Sequence, residues 1–111
     1  MQTIEEHQFW CWKDKLIGVV YFLYLLAGRD FSEDASMTLV EELRNTNADR
    51  NEWLVYNIGL VPDLWQLALA IDEEDRGIVF VKIKAPIEFQ ERIRFLNRIQ
   101  CSVKTLEPDF K

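Results

Sequence analysis

The chain contains few of the residues that most often build catalytic or metal-binding sites. Its 111 residues include two cysteines, one histidine and four isolated glycines. Metal sites normally need three or four ligands, and the one ligand-like spacing is His7 four residues before Cys11. A glycine-rich phosphate loop and a Gly-x-Ser-x-Gly nucleophile motif are both missing. We therefore expect no metal, no cofactor and no enzymatic activity.

The two cysteines are also too few for a disulfide framework. Cys11 and Cys101 both lie among apolar neighbours. A free cysteine in such a setting behaves as a small apolar residue and is usually buried. We expect both to be thiols that contribute to packing.

No apolar run is long enough to cross a membrane. The apolar, uncharged run Leu16–Ala27 has 12 residues, whereas a span needs about 20. Charged residues at 13–15 separate it from the aromatic cluster at 9–12. The chain begins with Glu5 and Glu6 instead of the basic segment of a signal peptide. We therefore expect a cytoplasmic protein that does not bind membranes, with the run buried in its core.

The composition predicts one acidic globular domain over residues 1–111. Apolar residues make up 49% of the chain, and the formal net charge is −6. This charge keeps a protein soluble and argues against general affinity for nucleic acid. Basic residues gather towards the end of the chain, where we interpret them as an exposed helix face.

The apolar periodicity predicts three helices in an α+β domain. Apolar residues recur at three- and four-residue steps over 5–27, with Gly28 as the C-terminal cap. A second helix is expected over 31–45, capped by Asp30, and an amphipathic helix over 86–100. The first two helices are N-terminal to the predicted sheet, and the third follows it.

The remaining segments predict a small antiparallel sheet. Residues 78–84 form the clearest strand pattern, and a strand needs partners for its backbone groups. The best partners are 64–71 and 53–58, which gives a three-stranded meander. The alternative is that 64–71 is helical. The domain would then be mostly α, and 78–84 would pair across a dimer.

Acidic and aromatic clusters are the candidate binding residues. The run at 72–75 is the densest group of like charges, and the simplest interpretation is a solvated loop. Its functional interpretation is a surface that attracts a basic partner, while tryptophans supply anchors. The candidate set is Asp72, Glu73, Glu74, Asp75, Glu41, Glu42, Trp10 and Trp12.

These features favour a small protein-binding module that occludes or holds a protein partner with a basic surface. Inhibitors, immunity or antitoxin-like proteins and chaperones share this profile of small size and acidity. One alternative is a self-associating structural subunit, a homodimer that buries surplus apolar surface of helix 5–27 or the edge of strand 78–84. The other is a small-ligand binder or enzyme with an apolar pocket under the first helix.

Overall fold

The structure is a computed structural model that describes residues 3–60 and 64–96. These residues form a four-stranded antiparallel sheet in the order β1-β4-β3-β2, together with three α-helices, which confirms the α+β class. The elements in chain order are β1 (Ile4–Trp12), α1 (Leu16–Leu26), α2 (Glu33–Asn45), β2 (Leu54–Asn57), β3 (Gln66–Ile71), β4 (Ile78–Pro86) and α3 (Gln90–Leu96).

Strand β4 is the centre of the sheet because it pairs with β1 on one side and β3 on the other. Its alternate residues Val79, Val81 and Ile83 face the helices and belong to the main core. The intervening residues Ile78 and Phe80 are buried in a second, smaller cluster on the opposite face. A strand that is apolar on both faces is typical of the interior of a sheet.

All three helices pack on the same face of the sheet. Buried residues of α1, α2 and α3 join the helix-facing strand residues in one core cluster. The helix contributions are Leu16, Val19, Val20, Leu23, Leu39, Ile93 and Leu96. The predicted burial of Leu16–Ala27 is therefore confirmed for one side of α1, whereas Tyr21 and Leu25 on its other side are exposed.

The ends of α1 and α2 are fixed by local capping. The N–H of Arg29 donates to the carbonyl of Tyr24 at 2.9 Å, and the N–H of Gly28 donates to Leu25 at 3.1 Å. This is a Schellman motif, and the φ of +78° at Gly28 requires glycine. At the start of α2 the cap is Ser32, whose Oγ accepts from Ala35 N at 3.1 Å. The predicted cap Asp30 lies two residues too early.

The predicted helix over 5–27 is wrong for its first half, because Ile4–Trp12 is a strand. Phe9 and Cys11 face the main core, whereas Trp10 and Trp12 face the smaller cluster. Apolar residues on both faces remove the alternating polarity that marks a half-buried strand. His7 and Cys11 consequently lie two pleats apart, about 13 Å along the strand, instead of one helical turn apart.

The sheet has four strands instead of the three predicted, because β1 is added beside β4. Residues 64–71 are not helical, since β3 spans Gln66–Ile71, so the mostly α alternative is wrong. Nor is 78–84 an edge that could pair across a dimer, because β1 and β3 flank it. The predicted helix 86–100 begins with a 3-10 turn at Ile87–Phe89 and continues as α3, and its positions 97–100 lie outside the described residues. No helix in the described part of the chain is long and apolar enough to cross a membrane.

Two glycine substitutions test whether the space beside each glycine is filled or open. A Cβ at Gly59 would lie 2.9 Å from Cβ and Cδ1 of buried Trp65, so Gly59→Ala should lower the free energy of unfolding by about 1–3 kcal/mol. A Cβ at Gly18, within α1, meets nothing within 4 Å. Gly18→Ala should therefore raise the free energy of unfolding of the monomer by about 0.5–1 kcal/mol. Urea unfolding of both variants checks this, and equal effects would contradict the packing described.

Candidate functional site: the acidic hairpin and its groove

The connection between β3 and β4 is a tight hairpin organised by Asp72. The carboxylate of Asp72 accepts from Nε and Nη2 of Arg76 at 2.8 and 2.9 Å. It also accepts from the backbone N–H of Arg76 at 2.9 Å and of Glu74 at 3.3 Å. The Asp72 side chain is only 3% exposed. This residue therefore holds the shape of the hairpin and has little surface to offer a partner.

The surroundings of Asp72 keep its carboxyl ionised. The Arg76 hydrogen bonds, followed by backbone N–H donors, lower the pKa of Asp72 to about 2 despite partial burial. Charge-assisted, bidentate pairs of this kind are stronger than ordinary hydrogen bonds. The negative charge of Asp72 is thus matched by the positive charge of Arg76.

The other three carboxylates of the hairpin are exposed. Glu74 lies 3.2 Å from Nη2 of Arg76, and Asp75 lies 3.6 Å from Nζ of Lys13. Surface pairs of this kind contribute little to stability, so these carboxylates can exchange partners at low cost.

Glu73 lies beside a carboxylate of a neighbouring loop. A hydrogen bond to Asp49, in the loop before β2, raises the pKa of Glu73 and lowers that of Asp49. The exposed carboxylates of the hairpin therefore lie close to basic side chains and, at Glu73, to the carboxylate of Asp49.

The hairpin forms one wall of a groove whose other walls are the start of α1 and the end of α2. The groove has a volume of about 550 Å³. Aliphatic side chains line most of it, namely Leu16, Ile17, Val40, Leu43, Ile71, Ile78 and Val79. Its polar lining consists of Lys13, Arg44, Thr46, Asp72, Glu73 and Asp75. The arrangement joins an apolar floor to charges of both signs.

The two candidate tryptophans lie at the same end of the sheet as the hairpin, but on the face away from the helices. Trp12 pairs in register with Ile78, directly after the hairpin, and Lys13 N donates to Gly77 O at 2.9 Å. Trp10 is 4% exposed and belongs to the smaller core cluster. Trp12 is half-buried, edge-to-face with Trp10 at 5.0 Å between ring centroids. Of the pair, Trp12 is the accessible one.

Glu41 and Glu42 are not brought to the hairpin groove. Both are exposed on α2 and line other, shallower depressions. Glu42 Oε1 accepts from the hydroxyl of Tyr56 at 2.8 Å, which ties α2 to β2. Burial, followed by this hydrogen bond, raises the pKa of Tyr56. Glu42 is thus engaged in holding a helix on the sheet.

Among the described residues, two cation–aromatic contacts that no sequence pattern indicated lie on the outer face of the sheet. Lys82 Nζ lies 4.2 Å from the ring centroid of Trp53, and the guanidinium of Arg50 lies 4.2 Å from that of Phe80. The partners are about 30 residues apart in sequence. No local pattern could have paired them, because the β2–β3–β4 register brings them together.

His7 lies near the opposite end of β1, paired in register with Ile83. Its Nε2 is buried without a hydrogen-bond partner among the described residues and lies 3.5 Å from Glu5 Oε1. Within residues 3–60 and 64–96, no group of three or more His, Cys, Asp and Glu residues could hold a metal ion.

No protein-family model matches the chain, and no match was found among the curated proteins or the solved structures. The site is therefore interpreted from its own geometry.

Replacing the central carboxylate of the hairpin should cost stability in a pH-dependent way. Because the pKa of Asp72 is about 2 in the folded protein and about 3.9 unfolded, its ionised form stabilises the fold above about pH 5. That contribution, about 2 kcal/mol, is lost as pH falls towards 2. Asp72→Asn should therefore lower the free energy of unfolding at pH 7 by about 1–3 kcal/mol. The difference in the free energy of unfolding between Asp72→Asn and the wild type should become smaller as the pH falls to 2.5.

Asp75→Asn is the matched control, because it makes the same chemical change on the same hairpin. Its carboxylate makes a single exposed pair with Lys13, and asparagine tolerates the φ of +51° at this position. Urea unfolding at pH 7, 4 and 2.5 should show that Asp75→Asn changes the free energy of unfolding by less than about 1 kcal/mol. An equal loss in the two variants would contradict the role given to Asp72.

Proposed function

We propose that this protein is a protein-binding module whose hairpin groove takes a basic, apolar segment of a partner. The observation that carries the proposal is that Asp72, Glu73 and Asp75 of the acidic run line one wall of a groove with an aliphatic floor. A partner segment in this groove can make apolar contacts with the floor and ion pairs with the hairpin carboxylates. Such a module acts by occluding or holding its partner, as inhibitors, immunity or antitoxin-like proteins and chaperones do.

The floor of the groove supplies the apolar part of the interaction. Leu16 and Ile17 come from α1, and Val40 and Leu43 come from α2. Aliphatic walls favour aliphatic or aromatic side chains, because burying such surface releases about 25 cal/mol per Å². A volume of about 550 Å³ suits a few side chains of a peptide segment rather than a whole helix.

The exposed carboxylates of the hairpin attract a basic partner towards the groove. Glu73, Glu74 and Asp75 are exposed, and the whole chain carries a net charge of −6. Acidic surfaces accelerate association with basic ones and disfavour acidic competitors. Lys13 and Arg44 also line the groove, so a uniformly cationic segment fits less well than one whose cations lie beside the hairpin.

Trp12 extends the same surface around the edge of the sheet. It is half-buried and directly precedes Lys13, which lines the groove. Tryptophan is a favoured anchor in protein interfaces. Trp10 is buried in the smaller cluster, so we assign it to stability instead of binding.

A small apolar ligand is the second candidate occupant of the groove. The volume of about 550 Å³ lies within the range of small-molecule sites, and α1 forms part of its lining. A ligand of this kind would contact the floor and need no cation. Its affinity would therefore depend little on salt or on the hairpin carboxylates.

A random peptide library selected on the protein provides the test. We expect enriched peptides to combine lysine or arginine with aliphatic residues, and to bind more weakly as salt rises. The double variant Glu73→Lys/Glu74→Lys, which leaves Asp72 in place, should weaken binding at least about tenfold. The double variant Glu88→Lys/Glu91→Lys is the control, because it changes the net charge equally at exposed positions away from the groove.

Equal losses in the two double variants would show that only net charge matters and would contradict the proposal. Selection of apolar peptides without cations, with binding insensitive to salt and to both variants, would favour the small apolar ligand instead.

A further inference from the structure

We propose that the outer face of α1 pairs with the same face of a second copy of this chain. The two helices run antiparallel, and Leu25 of each copy packs over Gly18 of the other. The helix Leu16–Leu26 contains no charged residue on any side. A helix that is apolar all round is usually covered on all sides.

The exposed side of α1 is apolar and lies opposite the core. Tyr21 is 48% exposed and Leu25 is 54% exposed. With Gly18 they follow the spacing i, i+3, i+7 and share one helix face. Buried Val19 and Leu23 lie on the other side of the helix. This face has nothing polar on it to bind water except the tyrosine hydroxyl.

Gly18 gives the exposed face a gap. A Cβ built at this position meets nothing within 4 Å, so the fold itself does not require glycine here. Glycine inside a helix costs about 0.5–1 kcal/mol relative to alanine. A small residue on a helix face does allow a second helix to approach closely, which a larger side chain would prevent.

The face is complementary to itself in antiparallel orientation. Gly18 and Leu25 are seven residues apart, about 10.5 Å along the helix axis. A two-fold axis between positions 21 and 22 therefore places each Leu25 opposite the gap at the other copy's Gly18. Such an isologous contact closes as a dimer and leaves no unmatched copy of the face.

Charges at the ends of α1 favour the same orientation. Asp14 precedes the helix and Arg29 follows it, both exposed. In the antiparallel pair, Asp14 of each copy comes near Arg29 of the other, whereas a parallel pair would oppose like charges. Arg29 Nη1 donates to Gly59 O at 3.2 Å, and its guanidinium has further N–H donors for a carboxylate. Leu16, which lines the hairpin groove, is on the buried side of α1, so each copy keeps its groove.

Disulfide trapping tests the contact and its orientation together. Gly18→Cys and Leu25→Cys are made in separate chains, both carrying Cys101→Ser, and oxidised alone and as an equal mixture. We expect a cross-linked dimer only in the mixture. Two copies of residue 18, or two of residue 25, would be about 10 Å apart along the axis, too far for a disulfide. The Cys101→Ser chain without new cysteines measures the background.

Sedimentation equilibrium tests the same contact without cross-linking. The wild type should dimerise reversibly, and Leu25→Glu should weaken dimerisation at least tenfold, about 1.4 kcal/mol. Met37→Glu is the control, because it also replaces an exposed apolar side chain with glutamate. Met37 is 63% exposed and lies on α2, away from the proposed contact. A monomer at all concentrations up to about 1 mM would overturn the proposal. So would cross-linking of either cysteine chain alone, or equal effects of the two glutamates.

Discussion

The burial of β4 on both of its faces over Ile78–Val81 is the constraint on which the rest of the structure depends. Its helix-facing residues complete the main core, and Ile78 and Phe80 complete the smaller one. Both of its edges must be hydrogen-bonded because it lies in the interior, so the chain supplies β1 as well as β3. The register of β4 with β3 also fixes where the hairpin turns. The acidic run occupies that turn. It therefore lies beside the start of α1 and the end of α2.

The sequence allowed the strands at β2, β3 and β4 to be predicted, but not β1. Runs of branched and aromatic residues between turn signals mark the first three. In β1 both faces are apolar near Trp10 and Trp12, so spacings of three and four residues matched a helix by coincidence. One available signal was that a strand as apolar as β4 needs two partners. Another was that tryptophans two residues apart share one face of a strand but not of a helix.

The candidate site could be predicted only in part, for a related reason. The acidic run was identifiable as a surface feature, yet its division into a structural carboxylate, Asp72, and exposed ones depends on Arg76 folding back across the turn. The groove combines residues from two helices and two strands, which no local pattern brings together. Glu41 and Glu42 point elsewhere because the face of a helix that meets a hairpin is set by tertiary packing. The surplus apolar surface expected of the first helix is found on the outer side of α1.

Methyl NMR of the protein bound to a library-selected basic, apolar peptide tests most directly whether the hairpin groove is the binding site. The largest shifts are expected at the methyl groups of the groove floor, those of Leu16, Ile17, Val40 and Leu43. The methyl group of Val55, exposed on the outer face of the sheet, should stay unchanged. Shifts confined to Val55 and its surroundings, with a silent groove floor, would contradict the claim that the hairpin groove is the binding site.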